Sequence, residues 1–582
     1  MPKMPKRALI IKETDTRTQK RRLKSPSLKD ERPIDFTKYL SDELILHIFY
    51  FLGAYDLSIC SRVSTNWYRL ANDLHLWKNL FLSRFPPPRR PWPLVSREPT
   101  FGDKRFGKQV SPMVSRLEIV KQSVARKHYG QQDWKSMFQI SHNWFKGKYR
   151  VNSLDPASLL DVRSKKEEAS LLTPNPLVQF TKDIILTAVN MRQELPVIEV
   201  WRAVNSLEYR HVVSLRSALM AEKELWSDVS ITCLRLDSEE RESGWRVLAG
   251  FSNGGFSLWE MEGEDVKELF TQPVCTTTGL EPSPIIAVAL NSSIFITCTL
   301  DFILSIYLIK ENERENDGKF PAPVLLHQLK GYIFSQPVEL SLVCMNELDC
   351  ASRDRRWKTV IGYSVPILNG GWTLGYQEIL FSEQRILWTR HTTSISSIDS
   401  HPFSLYNDSG IPSFAAITSI AHSSPYIFTA HIDNTIQVFH VHSDNNTLEL
   451  HHSQTLYGHT SRVMSLSVDG CRLVSADQWS IKVWELSQLK NGDSAELGNF
   501  IVSLTDFPLP CDEEATATEH SAEQSQIVHR SKLHKGLQWV AFDESRIISV
   551  GSRPRLRCQD EARTKGEYCA SDIGLVKIWS FI

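Results

Sequence analysis

Residues 472–484 read RLVSADQWSIKVW, and this stretch contains the pattern that decides the fold. A short apolar run, Arg472–Ala476, leads through a polar turn into a second run, Ile481–Trp484, which alternates and ends on an aromatic residue. Short alternating runs separated by turn residues are typical of antiparallel β-strands. The segment therefore predicts a β-hairpin whose second strand is closed by a tryptophan.

The same pattern recurs from about residue 175 onward. Seven strand-like segments end on an aromatic residue, and the closing residues are Trp201, Trp259, Tyr307, Tyr376, Phe439, Trp484 and Trp579. Preceding strands are predicted at 246–250, 294–298, 426–430, 472–476 and 546–550. A small sheet cannot bury both faces alone, so such repeats have to stack and close into a ring. The last repeat has three predicted strands, and we expect Lys148–Leu154 to supply its fourth.

Upstream of the repeats, residues 39–82 read YLSDELILHIFYFLGAYDLSICSRVSTNWYRLANDLHLWKNLFL and predict three short helices. Leu44, Ile48 and Leu52 recur at helical spacing, which places them on one face. Ser41 is predicted to cap the first helix and Gly53 to end it. A unit of this size buries little core alone, so its remaining apolar face is expected to meet a partner. A helical hairpin packed on its own domain is the structural alternative.

The sequence of this stretch resembles that of an F-box. Leu40-x-Asp42-Glu43-Leu44, Ile48-Phe49-x-x-Leu52, Asp56-Leu57, Arg62-Val63-Ser64-x-x-Trp67 and Trp77 follow the family's order and spacing. The family usually has Leu-Pro where this chain has Leu40-Ser41. The resemblance implies docking on Skp1 and, through it, on a cullin. The residues that would form the docking face are Leu40, Leu44, Ile48, Leu52, Leu57, Val63, Trp67 and Trp77.

The repeats resemble a degenerate WD40 propeller of seven blades, with one intact Gly-His pair at Gly458-His459. The resemblance implies that His459, Ser475 and Trp484 form the family's internal hydrogen-bond network, a feature of the fold rather than of catalysis. It also implies that partners bind at the channel mouth, on the face carrying the turns between second and third strands. The residues we expect to contact a protein substrate there are Leu300, Phe302, Ile432, Asn434, Met464 and Trp479.

In relatives that read phosphorylated peptides, arginines flank the turn Asp, because a phosphate needs forked donors. The corresponding positions here hold no Arg, which predicts an apolar mouth that takes a hydrophobic or helical element. Arg353, Arg355 and Arg356 of the fourth repeat could restore a basic patch. Leu300 and Phe302 could instead pack within their own blade.

The predicted fold class is multidomain, α plus all-β. A disordered basic tail (1–33) precedes a helical F-box (34–84), a proline-rich connector with spacer helices (85–146) and a seven-bladed WD40-like propeller (147–582). The spacer helices are predicted from Ser111 to Gly130 and over Trp134–Phe145. Insertions are expected at Lys310–Pro323, about 487–535 and Pro554–Ser571, of which the second is a mobile acidic loop. Basic pairs in the tail resemble an import signal or are solvating charge.

Composition limits the function. Lys plus Arg and Asp plus Glu are both 67, so no net field favours nucleic acid or acidic lipid. No apolar run is long enough to span a bilayer. The ten cysteines are scattered, which predicts reduced thiols and no zinc site. His440, His442, His451 and His452 cluster, but a solvated strand edge explains them better than a metal.

No nucleophile, phosphate-binding or kinase motif is present, so neither a cofactor nor catalysis is expected. We predict the substrate-recognition subunit of a Skp1–cullin–F-box ubiquitin ligase, in the cytoplasm, the nucleus or both. The alternative is a Skp1-associated propeller scaffold that acts outside ubiquitination, in assembly or trafficking.

Overall fold

In a computed structural model, the chain forms two compact units, Met1–Leu80 and Phe81–Ile582, and each is treated separately. The structure describes residues 40–85, 133–154, 177–190, 196–205, 207–216, 229–237, 244–263, 265–272, 283–310, 322–331, 335–345, 355–367, 371–394, 415–444, 447–469, 472–486, 502–505, 536–552 and 574–582. The predicted basic tail, the proline-rich connector and the helix predicted from Ser111 to Gly130 lie outside these residues. No helix in the described ranges is long and apolar enough to cross a membrane.

Five helices are described: α1 (Asp42–Phe49), α2 (Ala54–Cys60), α3 (Thr65–Ala71), α4 (Leu74–Arg84) and α5 (Trp134–Lys146). Within the first unit, Ile45 and Phe49 of α1 and Leu57 of α2 are buried. The Phe49 ring lies 5.3 Å from that of Trp67 in α3. These contacts bury one face of each helix and leave the opposite faces exposed.

The boundaries of α1 differ from the prediction. Ser41 is the residue before the helix, but its hydroxyl does not cap the backbone. Together with the backbone N–H of Glu43, this hydroxyl lowers the pKa of the Glu43 carboxyl. The prediction that Gly53 ends α1 is wrong, because α1 ends at Phe49 and Gly53 precedes α2 as its N-cap, with φ −74°. Glycine is also favoured at an N-cap, so its position alone did not distinguish the two roles.

Helix α5 has side-chain and backbone caps at its two ends. The Asp133 carboxylate accepts hydrogen bonds from the backbone N–H groups of Lys135 (3.2 Å) and Ser136 (3.1 Å). At the other end Gly147 is left-handed, with φ 62°, and the Lys148 N–H reaches back to the Asn143 carbonyl at 2.9 Å. A side chain at position 147 would strain this turn, which explains why glycine follows the helix.

The second unit contains seven four-stranded antiparallel sheets in the described residues, as predicted. Strand β1 is Arg150–Leu154. The first three sheets are β2 (Leu177–Phe180), β3 (Ile184–Val189), β4 (Val197–Ala203), β5 (Tyr209–Leu215); β6 (Ile231–Leu236), β7 (Trp245–Phe251), β8 (Phe256–Glu262), β9 (Asp265–Gln272); and β10 (Ile285–Asn291), β11 (Ile294–Thr299), β12 (Ile303–Leu308), β13 (Val324–Lys330). The fourth and fifth are β14 (Ser335–Cys344), β15 (Arg356–Pro366), β16 (Trp372–Ser382), β17 (Ile386–Thr393); and β18 (Ile417–Ser423), β19 (Tyr426–His431), β20 (Ile436–Ser443), β21 (Leu448–Leu456). The last two are β22 (Val463–Asp469), β23 (Arg472–Asp477), β24 (Ser480–Glu485), β25 (Val502–Thr505); and β26 (Leu537–Phe542), β27 (Arg546–Ser552), β28 (Gly574–Ser580) with β1.

The seven sheets stack face to face and the ring is closed. Each pair of neighbouring sheets shares a buried apolar cluster, including the pair formed by the seventh and first sheets. That last cluster joins Ile185 and Trp201 of the first sheet to Ile548 and Ile578 of the seventh. Strand β1 completes the seventh sheet by pairing with β28, from Arg150 opposite Ser580 to Leu154 opposite Val576. The predicted closing strand is therefore confirmed.

The closing aromatics occupy one register position in six sheets. Each lies in the third strand, opposite an apolar residue near the start of the second strand, as Trp484 lies opposite Leu473. In the fourth sheet the residue at this position is Phe381, opposite Trp357 and beside a β-bulge. The assignment of Tyr376 as the closing aromatic is therefore wrong. The third strand continues beyond Tyr376 to Ser382, because its apolar run does not end there.

The predicted acidic insertion at about 487–535 contains a strand of the ring. Val502–Thr505 forms β25, which pairs with β24 as the fourth strand of the sixth sheet. None of its four residues is aromatic, and the repeats were recognised by an aromatic residue at the end of a strand. The sequence pattern therefore did not distinguish this strand from the predicted acidic loop. Residues 311–321 and 553–573 of the other two predicted insertions lie outside the described ranges.

Candidate protein-interaction surfaces

The helical unit exposes large apolar side chains. Of the residues predicted to dock on Skp1, Leu44, Ile48 and Val63 are 53%, 46% and 60% exposed. Leu40, Leu52 and Trp67 are half-buried. Exposed aliphatic side chains on neighbouring helices form the kind of surface that a partner covers. We call these residues the predicted docking face, and the ring contact between Phe49 and Trp67 joins α1 to α3.

Two predicted docking residues lie in the interior instead. Leu57 is 1% exposed and Trp77 is 3% exposed, and the Trp77 indole N–H donates to the Ala71 carbonyl at 2.8 Å. The F-box resemblance placed them with the exposed residues, because it matches positions and not burial. They fill the space between the helices and hold the exposed residues in place.

Six further large apolar residues of this unit are exposed and were not predicted to dock. They are 37% to 77% exposed: Tyr50, Phe51, Tyr55, Ile59, Tyr68 and Leu74. Tyr50 and Phe51 follow α1 directly, with ring centroids 5.7 Å apart. The sequence did offer one signal for them, which is that several are aromatic residues outside the apolar face predicted from helical spacing. They enlarge the apolar surface of the helical unit.

The turn face of the propeller is defined here as the face carrying the turns between second and third strands. Leu300 and Ile432 lie in two of these turns and are 45% and 51% exposed. Asn434, Met464 and Trp479 are half-buried. Asn434 takes a left-handed conformation, with φ 68°. The described part of this face therefore offers Leu300, Ile432 and exposed Tyr457, next to the exposed carboxylates of Asp301 and Asp433 in the same turns.

Phe302 is not part of this surface. It is 7% exposed, and its ring lies 5.3 Å from that of Tyr363 in the neighbouring sheet. Gly331 allows this position, because a β-carbon there would lie 1.9 Å from the Phe302 ring. Phe302 thus belongs to the core between the third and fourth sheets, and the expectation of a mouth contact is wrong for its side chain.

The arginines that could form a basic patch in the fourth repeat lie at the end of their sheet that is far from the turn face. Arg356 opens β15 and pairs with Ser382, whereas Pro366 at the other end pairs with Trp372 beside the turn. Ten residue steps along a strand correspond to roughly 30 Å. Arg355 and Arg356 therefore lie far from the turn face, and Arg353 lies outside the described residues.

The predicted polar network of the sixth sheet is present and fully buried. The His459 ring contacts Ser475 Oγ through Nε2 at 2.6 Å and Asp477 Oδ2 through Nδ1 at 2.9 Å. The Trp484 indole N–H donates to Ser475 Oγ at 2.8 Å. Burial raises the pKa of Asp477, but the hydrogen bonds from His459 and two backbone N–H groups outweigh it, and the pKa lies below its usual value. The groups bind one another inside the sheet, so the network serves the fold.

The histidine cluster of the fifth sheet has a similar explanation. His442 Nε2 lies 2.9 Å from Asp444 and His451 Nε2 lies 3.2 Å from Glu449, both at the exposed edge. Among the residues that the structure describes, no group of three or more His, Cys, Asp or Glu side chains could hold a metal ion. Thus His442 and His451 pair with nearby carboxylates, while His452 contacts the Thr455 hydroxyl at 3.1 Å and the His440 ring lies 5.1 Å from that of Tyr426.

Comparison with known proteins agrees with these two units. An F-box-like family profile matches residues 42–83, and the profile described as the F-box protein pof12 β-propeller matches residues 165–555. The chain is 23% identical to the F-box protein pof12 of Schizosaccharomyces pombe over 457 residues, which cover 77% of this chain and 83% of that protein.

Solved propellers are more distant in sequence. The β-propeller domain of Cps50 (Swd1) from Myceliophteria thermophila has 10% identity and a TM-score of 0.36, and covers 74% of this chain and 99% of that one. Saccharomyces cerevisiae Sqt1 has 12% identity and a TM-score of 0.34, with coverages of 71% and 99%. The family profile, in contrast, spans more than half of the chain. The chain therefore belongs to the family of F-box proteins with a pof12-type β-propeller.

Proposed function

We propose that this protein is the substrate-recognition subunit of a Skp1–cullin–F-box ubiquitin ligase. The observation that carries the proposal is the exposed apolar face of the F-box unit, with Leu44, Ile48 and Val63 at its centre. Burying one such aliphatic side chain on a partner contributes about 1.5–3 kcal/mol. Several such side chains would together supply the apolar part of a contact with Skp1, which would join the chain to a cullin.

The propeller would hold the protein to be ubiquitinated. Leu300 and Ile432 present aliphatic side chains on the turn face, beside the half-buried Met464 and Trp479. Apolar side chains in such a setting favour a hydrophobic or helical substrate element over a phosphate. The chain itself would act as a non-catalytic adaptor, because holding a substrate near a loaded enzyme accelerates transfer by proximity.

The test measures the two surfaces separately. Recombinant Skp1 is titrated against wild-type protein, Ile48→Lys and Ile432→Lys, each checked for folding by circular dichroism. Ile48 is on the docking face and Ile432 is on the turn face, and both are about half exposed. A lysine would place an uncompensated charge in the buried contact, so Ile48→Lys is expected to weaken Skp1 binding about a hundredfold or more. Ile432→Lys should bind Skp1 as the wild type does.

Equal Skp1 affinity for all three proteins would refute the docking face. Cullin association separates the proposal from a scaffold role outside ubiquitination. A ligase subunit should bring down cullin together with Skp1, and Ile48→Lys should lose both. Skp1 without cullin, with no partner stabilised when the protein is absent, would refute the ligase role.

A further inference from the structure

A group of cations surrounds the junction between α4 and α5. Arg84 at the end of α4, Lys146 at the end of α5 and Lys148 just beyond it are all exposed. The Arg84 guanidinium carbon lies 5.5 Å from the centroid of the Phe145 ring, which is itself 48% exposed. We call Arg84, Phe145, Lys146 and Lys148 the spacer patch. All four belong to the second unit.

The charges of the spacer patch act on one half-buried imidazole, that of His142. His142 stacks on Phe138 with centroids 6.0 Å apart and planes at 9°. Burial lowers the pKa of His142, and the positive charges of Lys146, Lys148 and Arg84 lower it further. Every side-chain charge that shifts this pKa is therefore positive. Among the described residues, no carboxylate forms an ion pair with Arg84, Lys146 or Lys148.

Hydrogen bonds and a ring contact attach α5, which carries part of the patch, to the propeller. Asn143 Nδ2 donates to the Phe581 carbonyl at 2.8 Å, and the Trp144 indole N–H donates to the Glu544 carbonyl at the same distance. The Trp144 and Phe581 rings stack with centroids 3.9 Å apart. The side of α5 opposite the patch is therefore fixed to the propeller. This attachment fixes the backbone positions from which Phe145 and Lys146 project, and an ordered backbone favours recognition of a complementary surface.

We propose that the spacer patch docks an acidic protein segment, with carboxylates on the three cations and an apolar side chain against Phe145. The patch is distinct from the F-box docking face and from the turn face, and the inference does not rest on the proposed function. A protein segment fits better than nucleic acid because three cations match a short run of carboxylates, whereas a nucleic-acid backbone engages a longer positive groove.

The experiment uses fluorescence anisotropy with a fluorescein-labelled peptide, (Glu)4-Phe-(Glu)4, and the full-length protein. The neutral peptide (Gln)4-Phe-(Gln)4 and a twelve-nucleotide oligouridine are the comparison probes. Arg84→Gln/Lys146→Gln/Lys148→Gln removes the charges of the patch. Arg210→Gln/Lys267→Gln/Lys330→Gln removes three exposed cations elsewhere on the propeller and matches the change in net charge.

At low salt the patch variant is expected to bind the acidic peptide about tenfold more weakly than the wild type, and the matched control about equally to it. Phe145→Ala should weaken binding of the acidic peptide with its charges intact, which tests the apolar contact. Equal loss in both triple variants would show a non-specific charge effect and overturn the proposal. Tighter binding of oligouridine than of the acidic peptide, lost in the patch variant, would also overturn it in favour of nucleic acid.

Discussion

Replacing Ser475 with Ala is expected to destabilise the propeller by about 2–4 kcal/mol. Its hydroxyl serves two buried groups, the His459 ring at 2.6 Å and the Trp484 indole at 2.8 Å, and all three residues are at most 8% exposed. The substitution leaves two buried polar groups without their partner, and each such group costs roughly 1–3 kcal/mol. The loss of one oxygen opens little space, so the effect isolates the hydrogen bonds.

Other sheets provide matched comparisons. Ser549 in the seventh sheet occupies the same register position and accepts only the Trp579 indole N–H, at 2.9 Å. Ser549→Ala should therefore cost about half as much. In the second sheet Ala249 holds this position, and the Trp259 indole nitrogen has no partner among the described residues. Ala249→Ser should supply the missing acceptor and stabilise the protein by about 1 kcal/mol, whereas Ala249→Cys, similar in size but a weak acceptor, should not.

The assay is thermal unfolding of the full-length protein and of each variant, followed by circular dichroism at fixed concentration. For a domain of some four hundred residues, 1 kcal/mol corresponds to a shift of about 1 °C. The expected order of midpoints is Ala249→Ser highest, then wild type, Ser549→Ala and Ser475→Ala. A Ser475→Ala midpoint equal to the wild type would refute the reasoning, as would equal midpoints for the Ser and Cys variants at position 249.

Two further predictions concern closure and pH. Val151→Pro should destabilise the ring by about 1 kcal/mol and speed proteolysis of the β1 segment, while Val151→Thr should not, because proline restricts φ and has no backbone N–H to donate within the strand that pairs with β28. Equal proteolysis of both variants would contradict this. Burial, with a smaller effect of the Lys358 charge, lowers the pKa of His422 to about 4. The folded state therefore keeps His422 neutral. The lowered pKa contributes on the order of 3 kcal/mol to the free energy of unfolding above pH 6.5, and this contribution is lost as pH falls from 6.5 towards 4. His422→Gln should lose less stability than the wild type between pH 7 and pH 5 in urea unfolding, and identical pH dependence would contradict the assignment.

The repeat pattern predicted the propeller because each sheet is built from the same short alternating strands and turns. In the third strand, the alternation predicts the strand itself and the final aromatic residue predicts which face is buried. For this reason six closing residues and strand β1 were identified correctly. The fourth sheet differs because both Tyr376 and Phe381 are buried aromatics in one long strand. Only the pairing of Phe381 with Trp357 shows which of them occupies the common position. Register between distant strands is not encoded in local alternation.

The interaction surfaces were less predictable for a related reason. The F-box resemblance grouped Leu57 and Trp77 with the exposed residues, but a sequence match does not say which apolar side chains another helix covers. The structure shows that Leu57 and Trp77 are covered, whereas Phe51 and Tyr55 remain exposed. The same limit applies to Phe302, because its burial depends on Gly331 and Tyr363 from other strands. Which apolar side chains remain available to a partner is decided by packing between elements.

Closure of the ring and the position of α5 depend on the same few residues. Phe581 accepts a hydrogen bond from Asn143 through its carbonyl and stacks on Trp144, while Tyr149, three residues beyond the helix, contacts Trp579 at 5.0 Å. Strand β1 begins at the next residue and completes the seventh sheet. The helix and the closing strand thus share contacts with β28 and the residue that follows it, while the Trp144 indole also donates to the Glu544 carbonyl. Together these contacts give α5 a fixed orientation on the propeller.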